Sequence, residues 1–318
     1  MTTVSVIIPA YNASATIDAT LASVRSQSWR DLDIIVVDDG SSDHTAERVL
    51  AHCREDERVR LLRLRNSGVA VARNTAIHEA RGDYIAPIDA DDLWHKRKIE
   101  LQMAKMMNSR LDVGLVYCWF LVIDELDRIV AYGNRDKDRG NVLRRMCLGN
   151  LVGSGSAPLM RKSAILEAGG YDDGLLARGA QGCEDLKLYF AIAERYDFEA
   201  VPAYLVGYRA TPQSMSSDAF RMLRSYDFVM LPNCERYPQH ADQFARGRAL
   251  LTKWLLERAI SYGTARQALA LFAELRRQSP LLAVKTLGKN GTLLRRRFIS
   301  RPPRYRFGEW TTATGQGR

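Results

Sequence analysis

Two continuous apolar runs that break off in carboxylates constrain this chain more than any other feature. Tyr84-Ile-Ala-Pro-Ile88 leads into Asp89, Asp91 and Asp92, ahead of Leu93 and Trp94, and Asp33-Ile-Ile-Val-Val37 empties into Asp38-Asp39-Gly-Ser-Ser-Asp43. Short apolar runs of this kind read as strands buried on both faces, the habit of parallel sheets. Carboxylates crowded at the end of a buried strand repel one another and lose hydration, so they persist where a cation or a set of donors neutralises them. Oxygen-only ligands favour the hard cations Mg²⁺ or Mn²⁺, which keep positions open for water or for a ligand's oxygens. The competing reading of the first cluster is an Asp-rich turn that caps the following helix. In the second cluster both readings are expected to hold: Asp43 caps the helix from Thr45, and Asp38 and Asp39 stay free to face a cleft.

The order of elements predicts one alternating strand and helix layer. Val4 to Ile8 reads as the first strand, and Ile17, Leu21 and Val24 fall at helical spacing after it. Strands follow at Asp33 to Val37 and Arg58 to Leu64, then an Ala-rich helix from Val69 to Ala80, the strand to Ile88, and a helix from Trp94 to Asn108. This alternation implies a parallel sheet with right-handed crossovers, and in such sheets ligands bind beyond the carboxyl ends of the strands. Neither GxGxxG after the first strand nor GxxxxGK[ST] occurs, so neither a dinucleotide fold of the common kind nor a P-loop is supported.

Four stretches at these strand ends resemble the family 2 glycosyltransferases of the GT-A fold. They are Val4-Ser-Val-Ile-Ile-Pro-Ala-Tyr-Asn12, Ile35-Val-Val-Asp-Asp-Gly-Ser-Ser-Asp43, Gly68-Val-Ala-Val-Ala-Arg-Asn74 with Arg81-Gly-Asp-Tyr-Ile85, and Ile88-Asp-Ala-Asp-Asp92, in family order and spacing. Gly169-Gly-Tyr-Asp172 followed by Cys183-Glu-Asp-Leu186 is a fifth, weaker one. The resemblance covers roughly residues 1 to 210. It implies an α/β GT-A fold, a mixed and mainly parallel sheet flanked by helices, with a C-terminal helical appendage. It also implies that Pro9, Ala10 and Tyr11 touch a nucleotide base, that Asp38 and Asp39 belong to the nucleotide site with Asp39 at the base edge, and that Arg73 lies near base or phosphate. Asp89 would contact ribose or a metal-bound water, Asp91 would hold Mn²⁺ or Mg²⁺ with Asp92 as a second candidate, and Asp185 would be the base, with Glu184 beside it. One departure is Ala76, where the family often has Gly; Ala is the better helix former.

These residue types suit transfer of a sugar from a nucleoside diphosphate. A divalent ion offsets charge on the departing diphosphate, and one carboxylate can take the acceptor's proton, so a single-step inverting reaction needs no enzyme nucleophile. Asp185 also has a structural reading, since an acid in a first helical turn complements the helix dipole, and Glu184 could do either job. The Gly174 to Gly182 stretch reads as a lid or acceptor loop, and Gly153-Ser-Gly-Ser156 as an acceptor-side wall or a plain turn.

Five scattered cysteines, without a CxxC pair, argue against a zinc site or a disulfide framework and fit a reducing cytoplasm; Cys183 reads as a small loop residue rather than a nucleophile. The five histidines form no ligand spacing. Trp94 is either core or a sugar-stacking platform. No run of about 18 apolar residues marks a membrane span, and the N-terminus enters a strand directly, so no signal peptide is expected.

The formal charge of +9 is local: the segment 276–306 holds ten Lys and Arg and no acid, leaving the rest of the chain at −1. Interleaved with Leu281, Leu282, Val284, Leu287, Leu293, Leu294, Phe298 and Ile299, and followed by Tyr305, Phe307 and Trp310, this tail suits adsorption to an anionic membrane face; a solvated basic helix is the alternative. No nucleic-acid-binding module accompanies it. The expected organisation is 1–215 as the catalytic domain, split into a nucleotide-sugar half (1–110) and an acceptor half (111–215), then 216–280 as amphipathic helices with Leu250, Trp254, Ile260, Leu269, Phe272 and Leu275 in the core, and 281–318 as the tail. The resemblance implies a cytoplasmic enzyme, peripheral on the inner face of the plasma membrane, that moves a sugar from a nucleotide donor, UDP before GDP or dTDP, to a saccharide or lipid-linked saccharide for surface polysaccharide. The rival is an inactive nucleotide-binding module on the same fold.

Overall fold

The computed structural model of the chain describes residues 2–110, 112–133, 135–210, 218–287 and 305–308. The first half alternates: β1 (Val4–Ala10), α1 (Ile17–Arg25), β2 (Leu32–Asp38), α2 (Thr45–Glu55), β3 (Val59–Arg63), α3 (Val69–Glu79), β4 (Tyr84–Pro87). Then come β5 (Leu93–Trp94), α4 (Lys98–Met107), β6 (Val113–Ile123), β7 (Ile129–Tyr132), α5 (Leu143–Met146), β8 (Leu159–Arg161), α6 (Lys162–Glu167), α7 (Gly174–Ala177), α8 (Glu184–Ala193) and β9 (Asp197–Arg209). Three longer helices close the series, α9 (Ala219–Arg236), α10 (Ala241–Tyr262) and α11 (Ala265–Gln278).

The strands form one sheet in the order β3-β2-β1-β4-β8-β6-β9-β5, with β7 paired to β6. From β3 to β4 every pairing is parallel, as the alternation predicts, and β2 is buried along its whole length because helices cover both faces. Beyond β4 the sheet turns mixed. β8 runs antiparallel between β4 and β6, β6 and β9 pair in parallel, and β5 lies antiparallel to β9. Leu93 and Trp94 therefore do not start the helix expected from Trp94; they pair with Val206 and Gly207, and α4 begins at Lys98. Trp94 is core, its indole N–H donating to the Ser156 carbonyl at 2.9 Å.

One apolar core runs without a break from Val4 to Phe244, so the early turns of α10 pack on the sheet domain. A second, smaller core joins Leu223, Leu255, Leu256, Leu271, Leu275 and Ala283. Leu275 sits in it, with Ile260 and Phe272 at its margin, but Leu250, Trp254 and Leu269 are exposed, against expectation. These helices carry apolar residues on more than one face, so periodicity alone cannot choose the buried one.

Residues 280–287 are helical; Ala283 and Thr286 are buried, whereas Leu281, Val284 and Leu287 point to solvent. Phe307, expected to serve a membrane, is buried among Leu93, Trp119, Leu121, Ile123 and Tyr204, and its N–H donates to the Asp127 carbonyl at 2.8 Å. The remaining tail positions named above, Leu293 to Ile299 and Trp310, lie outside the described residues. Among the described residues no helix is long and apolar enough to cross a membrane.

Candidate functional site

The strand order β2-β1-β4 sets three carboxyl ends side by side, with Ala10 level with Asp38. The loops that leave them are tied together. Asn12, in the left-handed region at φ 49°, donates its N–H to Ser41 Oγ and accepts from the Ser42 N–H, both at 2.9 Å. Tyr11 stands half exposed at this end, Pro9 is half-buried, and Ala10 is buried. Asp43 accepts from the Thr45 N–H at the start of α2 and from the Ser14 N–H, both at 3.0 Å. Burial opposes its charge, but the hydrogen bonds from Thr45 and Ser14 outweigh it and hold the carboxyl at about 2.

Asp38 and Asp39 do not stand free, as the sequence suggested. Asp38 is fully buried, accepts the Ser41 N–H at 3.0 Å and faces Arg63 at 3.4 Å. Asp39 accepts the N–H groups of Ser67 and Gly68 at 2.7 and 2.8 Å, one on each oxygen, and so fixes the entry to α3. Each Asp39 oxygen keeps one further lone pair for a ligand.

The three acids after β4 have separate surroundings. Asp89 receives Arg73 Nη2 at 2.6 Å, and about a third of its side chain is exposed. Arg73 is buried; burial opposes its charge, but Asp89 and the groups around it, Asp185 among them, hold it firmly protonated. Asp92 is also buried, with Ser156 Oγ–H donating to one oxygen at 2.6 Å and the Arg209 N–H to the other at 2.8 Å. Each Asp92 oxygen thus already accepts one bond inside the protein, so as a second metal candidate it stands deeper and more committed than Asp91. Burial, with Asp91 and Asp89 nearby, pushes its carboxyl well up, which suits a proton shared with Ser156.

Asp91 remains. Burial and the neighbouring Asp89 push its carboxyl up to about 6, against the pull of Arg209. A carboxylate uncomfortable with its own charge beside a second acid is the setting a hard divalent ion relieves. Among the described residues no three acidic, Cys or His side chains group to hold a metal by themselves. Asp91 and Asp89 would therefore supply one or two ligands, and the ion would need a ligand's oxygens to complete its shell, the usual habit of Mg²⁺.

The candidate base lies within the electrostatic reach of Arg73 and Asp89. Asp185, in the first turn of α8, accepts from Asn150 Nδ2 at 3.0 Å and from the Leu186 N–H at 2.7 Å. Burial raises its carboxyl above the usual range, while Arg73 and Asn150 pull the other way. Glu184 is buried and accepts the Gly182 N–H at 3.0 Å, so it closes its own loop. Burial likewise keeps the Cys183 thiol protonated, which counts against a nucleophile there.

Arg73 ties the two halves together. It pairs with Asp89, lies 5.1 Å over the Tyr171 ring and shares the field of Asp185, while Asn74 clamps the Tyr171 backbone with bonds of 2.8 and 2.9 Å. Sequence reading missed Arg209 and Asn150, and took Ser156 only as part of an acceptor-side wall or a turn. Ser156 joins the Asp89 N–H to Asp92; Arg209 holds Asp92 through its N–H and the Asp91 carbonyl through Nε at 2.7 Å. Of the two missed, Arg209 left a signal, a charge ending a long apolar strand like the acids after β2 and β4. Gly155 packs beneath: a Cβ there would lie 3.1 Å from Arg73 Nη2 and 3.4 Å from Asp89 Oδ2.

Comparison with known proteins bears on the family and the fold. The chain is 29% identical over 242 residues, 74% of its length and 89% of the relative's, to the UDP-Glc:alpha-D-GlcNAc-diphosphoundecaprenol beta-1,3-glucosyltransferase WfgD of Escherichia coli. Two solved structures share the fold: S. aureus TarS 1-349 in complex with UDP-GlcNAc (TM-score 0.57, 13% identity, 91% and 92% of the two chains) and the mannosyltransferase PcManGT of Pyrobaculum calidifontis with GDP-Man and Mn²⁺ (0.56, 18%, 90% and 86%). The family model for glycosyl transferase family 2 matches residues 5–167, which hold every strand-end acid described above, and the chain is accordingly a family 2 glycosyltransferase with a GT-A fold.

Proposed function

We propose that the chain transfers a sugar, with inversion, from a nucleoside diphosphate donor, UDP before the others, to a hydroxyl of a saccharide or lipid-linked saccharide during synthesis of cell-surface polysaccharide. The observation that supports this is Arg73, which pairs with Asp89 and is held charged in part by Asp185, so that the proposed donor-side acid and base share one cation. The name of the Escherichia coli relative supports a UDP donor and a lipid-linked acceptor.

In this reading the base stacks beside Tyr11 and meets Asp39, and Asp91 with Asp89 holds Mn²⁺ or Mg²⁺, which when bound offsets charge on the departing diphosphate. Asp185 accepts the proton of the acceptor hydroxyl. The freed oxygen forms a bond to the anomeric carbon as the bond from that carbon to the diphosphate oxygen breaks, and the nucleoside diphosphate leaves with the electron pair. A base whose carboxyl is raised toward neutral pH is the better matched to such a proton. Work at the cytoplasmic membrane surface, helped by Leu281, Val284 and Leu287, belongs to the same proposal.

The test is calorimetric titration with UDP, GDP, dTDP and CMP, each with and without Mn²⁺, repeated on Asp91→Asn. Metal-dependent binding of one nucleotide, lost in the variant, is expected. Absence of binding by all four would refute the donor reading and favour an interaction module.

A further inference from the structure

Away from the acid loops, the turn around α5 and the first turns of α10 enclose an open pocket of about 430 Å³, lined by Arg144, Arg145, Leu148, Asp242, Gln243 and Arg246 among others. Its volume is within the range of small-ligand sites. The pocket exists because α10 comes close: at Gly247 a Cβ would lie 2.7 Å from the Leu148 carbonyl oxygen.

The lining is richer in cations than its ion pairs consume. Arg145 is neutralised by Asp136 and faces Asp138 at 3.5 Å. Arg144 and Arg246 are exposed, and neither takes part in an ion pair among the described residues. Asp242 is the single acid of the lining. Gln243, also in the lining, has a buried side-chain oxygen with no hydrogen-bond partner among the described residues, an unmet acceptor in the pocket wall. Guanidinium groups present planar forks matched to phosphate oxygens, and a lone acceptor beside them matches a hydroxyl.

The pocket borders the segment that holds the candidate base. Leu148 lines it, Asn150 donates to Asp185, and the Cα atoms of residues two positions apart are at most about 7 Å from each other.

We propose that this pocket binds the phosphate or diphosphate group of the acceptor, with Arg144 and Arg246 holding the phosphate oxygens and Gln243 accepting from a hydroxyl. The inference rests on the glycosyltransferase reading of Asp185 and gives its acceptor a chemical class: a phosphate-linked saccharide, held by its anionic end so that a sugar hydroxyl reaches the base. The pocket lies on other elements than the nucleotide loops, so donor and acceptor phosphates have separate holders.

The experiment titrates the full-length protein with inorganic pyrophosphate in EDTA, so that no metal bridges the anion to Asp91, and compares the wild type with Arg144→Ala/Arg246→Ala and Arg144→Lys/Arg246→Lys. Wild-type binding weakened at least tenfold in the Ala pair, with the Lys pair between, is expected, while UDP binding with Mn²⁺ stays unchanged in both. Both arginines are exposed, and matching melting curves establish that the variants fold. Pyrophosphate affinity equal in wild type and the Ala pair overturns the site. So does a Ala pair that loses UDP to the same extent, which would make the pocket part of the donor site, or one that loses only adsorption to phosphatidylglycerol vesicles, which would make it a headgroup contact. Failure of the wild type to bind UDP with Mn²⁺ refutes the donor reading instead, whatever pyrophosphate does.

Discussion

Replacing Asp185 by Asn separates its chemistry from its place in the fold. Its two oxygens each accept one bond, from Asn150 Nδ2 and from the Leu186 N–H. The Asn150 amide cannot turn over to suit a new neighbour, because its oxygen already accepts the N–H groups of Val152 and Gly153, both at 3.0 Å. An Asn at 185 offers one acceptor and one donor, so one of the two bonds is lost and a pair of donors face each other, at a cost of about 1 to 3 kcal/mol. Set against this is relief from a buried charge, which the raised carboxyl of Asp185 makes unfavourable. The two terms oppose, so the net stability change should stay within about 2 kcal/mol and the fold should survive. Loss of a general base removes about 10²- to 10⁴-fold in rate, roughly 3 to 5 kcal/mol of transition-state stabilisation. The assay pairs donor turnover under saturating Mn²⁺ with nucleotide calorimetry and thermal melting of the same preparation. A variant within threefold of wild-type kcat would refute the base assignment, and so would parallel loss of turnover and donor binding.

Three further outcomes are expected. Asp91→Asn should weaken Mn²⁺-dependent nucleotide binding at least tenfold without lowering the melting temperature in EDTA; wild-type affinity would remove Asp91 from the metal site. Lys98 is fully buried, its ammonium 3.9 Å over the Trp94 ring and 3.4 Å from the Pro158 carbonyl, and burial pulls its pKa down to about 8. The folded state thus binds fewer protons than the unfolded chain between pH 8 and 10.5. The resulting penalty, about 3 kcal/mol, is present in full below pH 8 and fades as pH rises. Lys98→Met should therefore stabilise the protein at pH 7 and lose that advantage by pH 10, as denaturant titrations at both pH values would register; an equal difference at both would contradict the burial argument. Finally, Leu281→Glu/Val284→Glu/Leu287→Glu should reduce adsorption to phosphatidylglycerol vesicles several-fold, as read by co-sedimentation, and unchanged partitioning would exclude this face from membrane contact.

The strands that carry the donor side could be read from the chain because each is apolar on both faces and ends in charge. β2, expected at Asp33 to Val37, spans Leu32–Asp38, and the helix expected from Val69 to Ala80 spans Val69–Glu79. The other half of the sheet escaped because its pairings are not sequential: β8 supplies three residues between β4 and β6, and β5 only two against β9. Such short strands leave no periodic signal, and only long-range partners make them strands.

The fold class could be read from the chain because buried parallel strands need unbroken apolar runs, and the family from the order and spacing of the motifs at their ends. Tertiary structure alone decided what each acid does. Asp89, Asp91 and Asp92 stand within four positions of one another, yet one is paired to Arg73, one is left raised and partly open, and one is sealed between Ser156 and the Arg209 backbone. Those partners come from α3, the loop before β8, and the end of β9, up to 117 positions away in the chain. A carboxylate's role follows from its desolvation and the donors around it, and both are properties of the packed protein rather than of a motif.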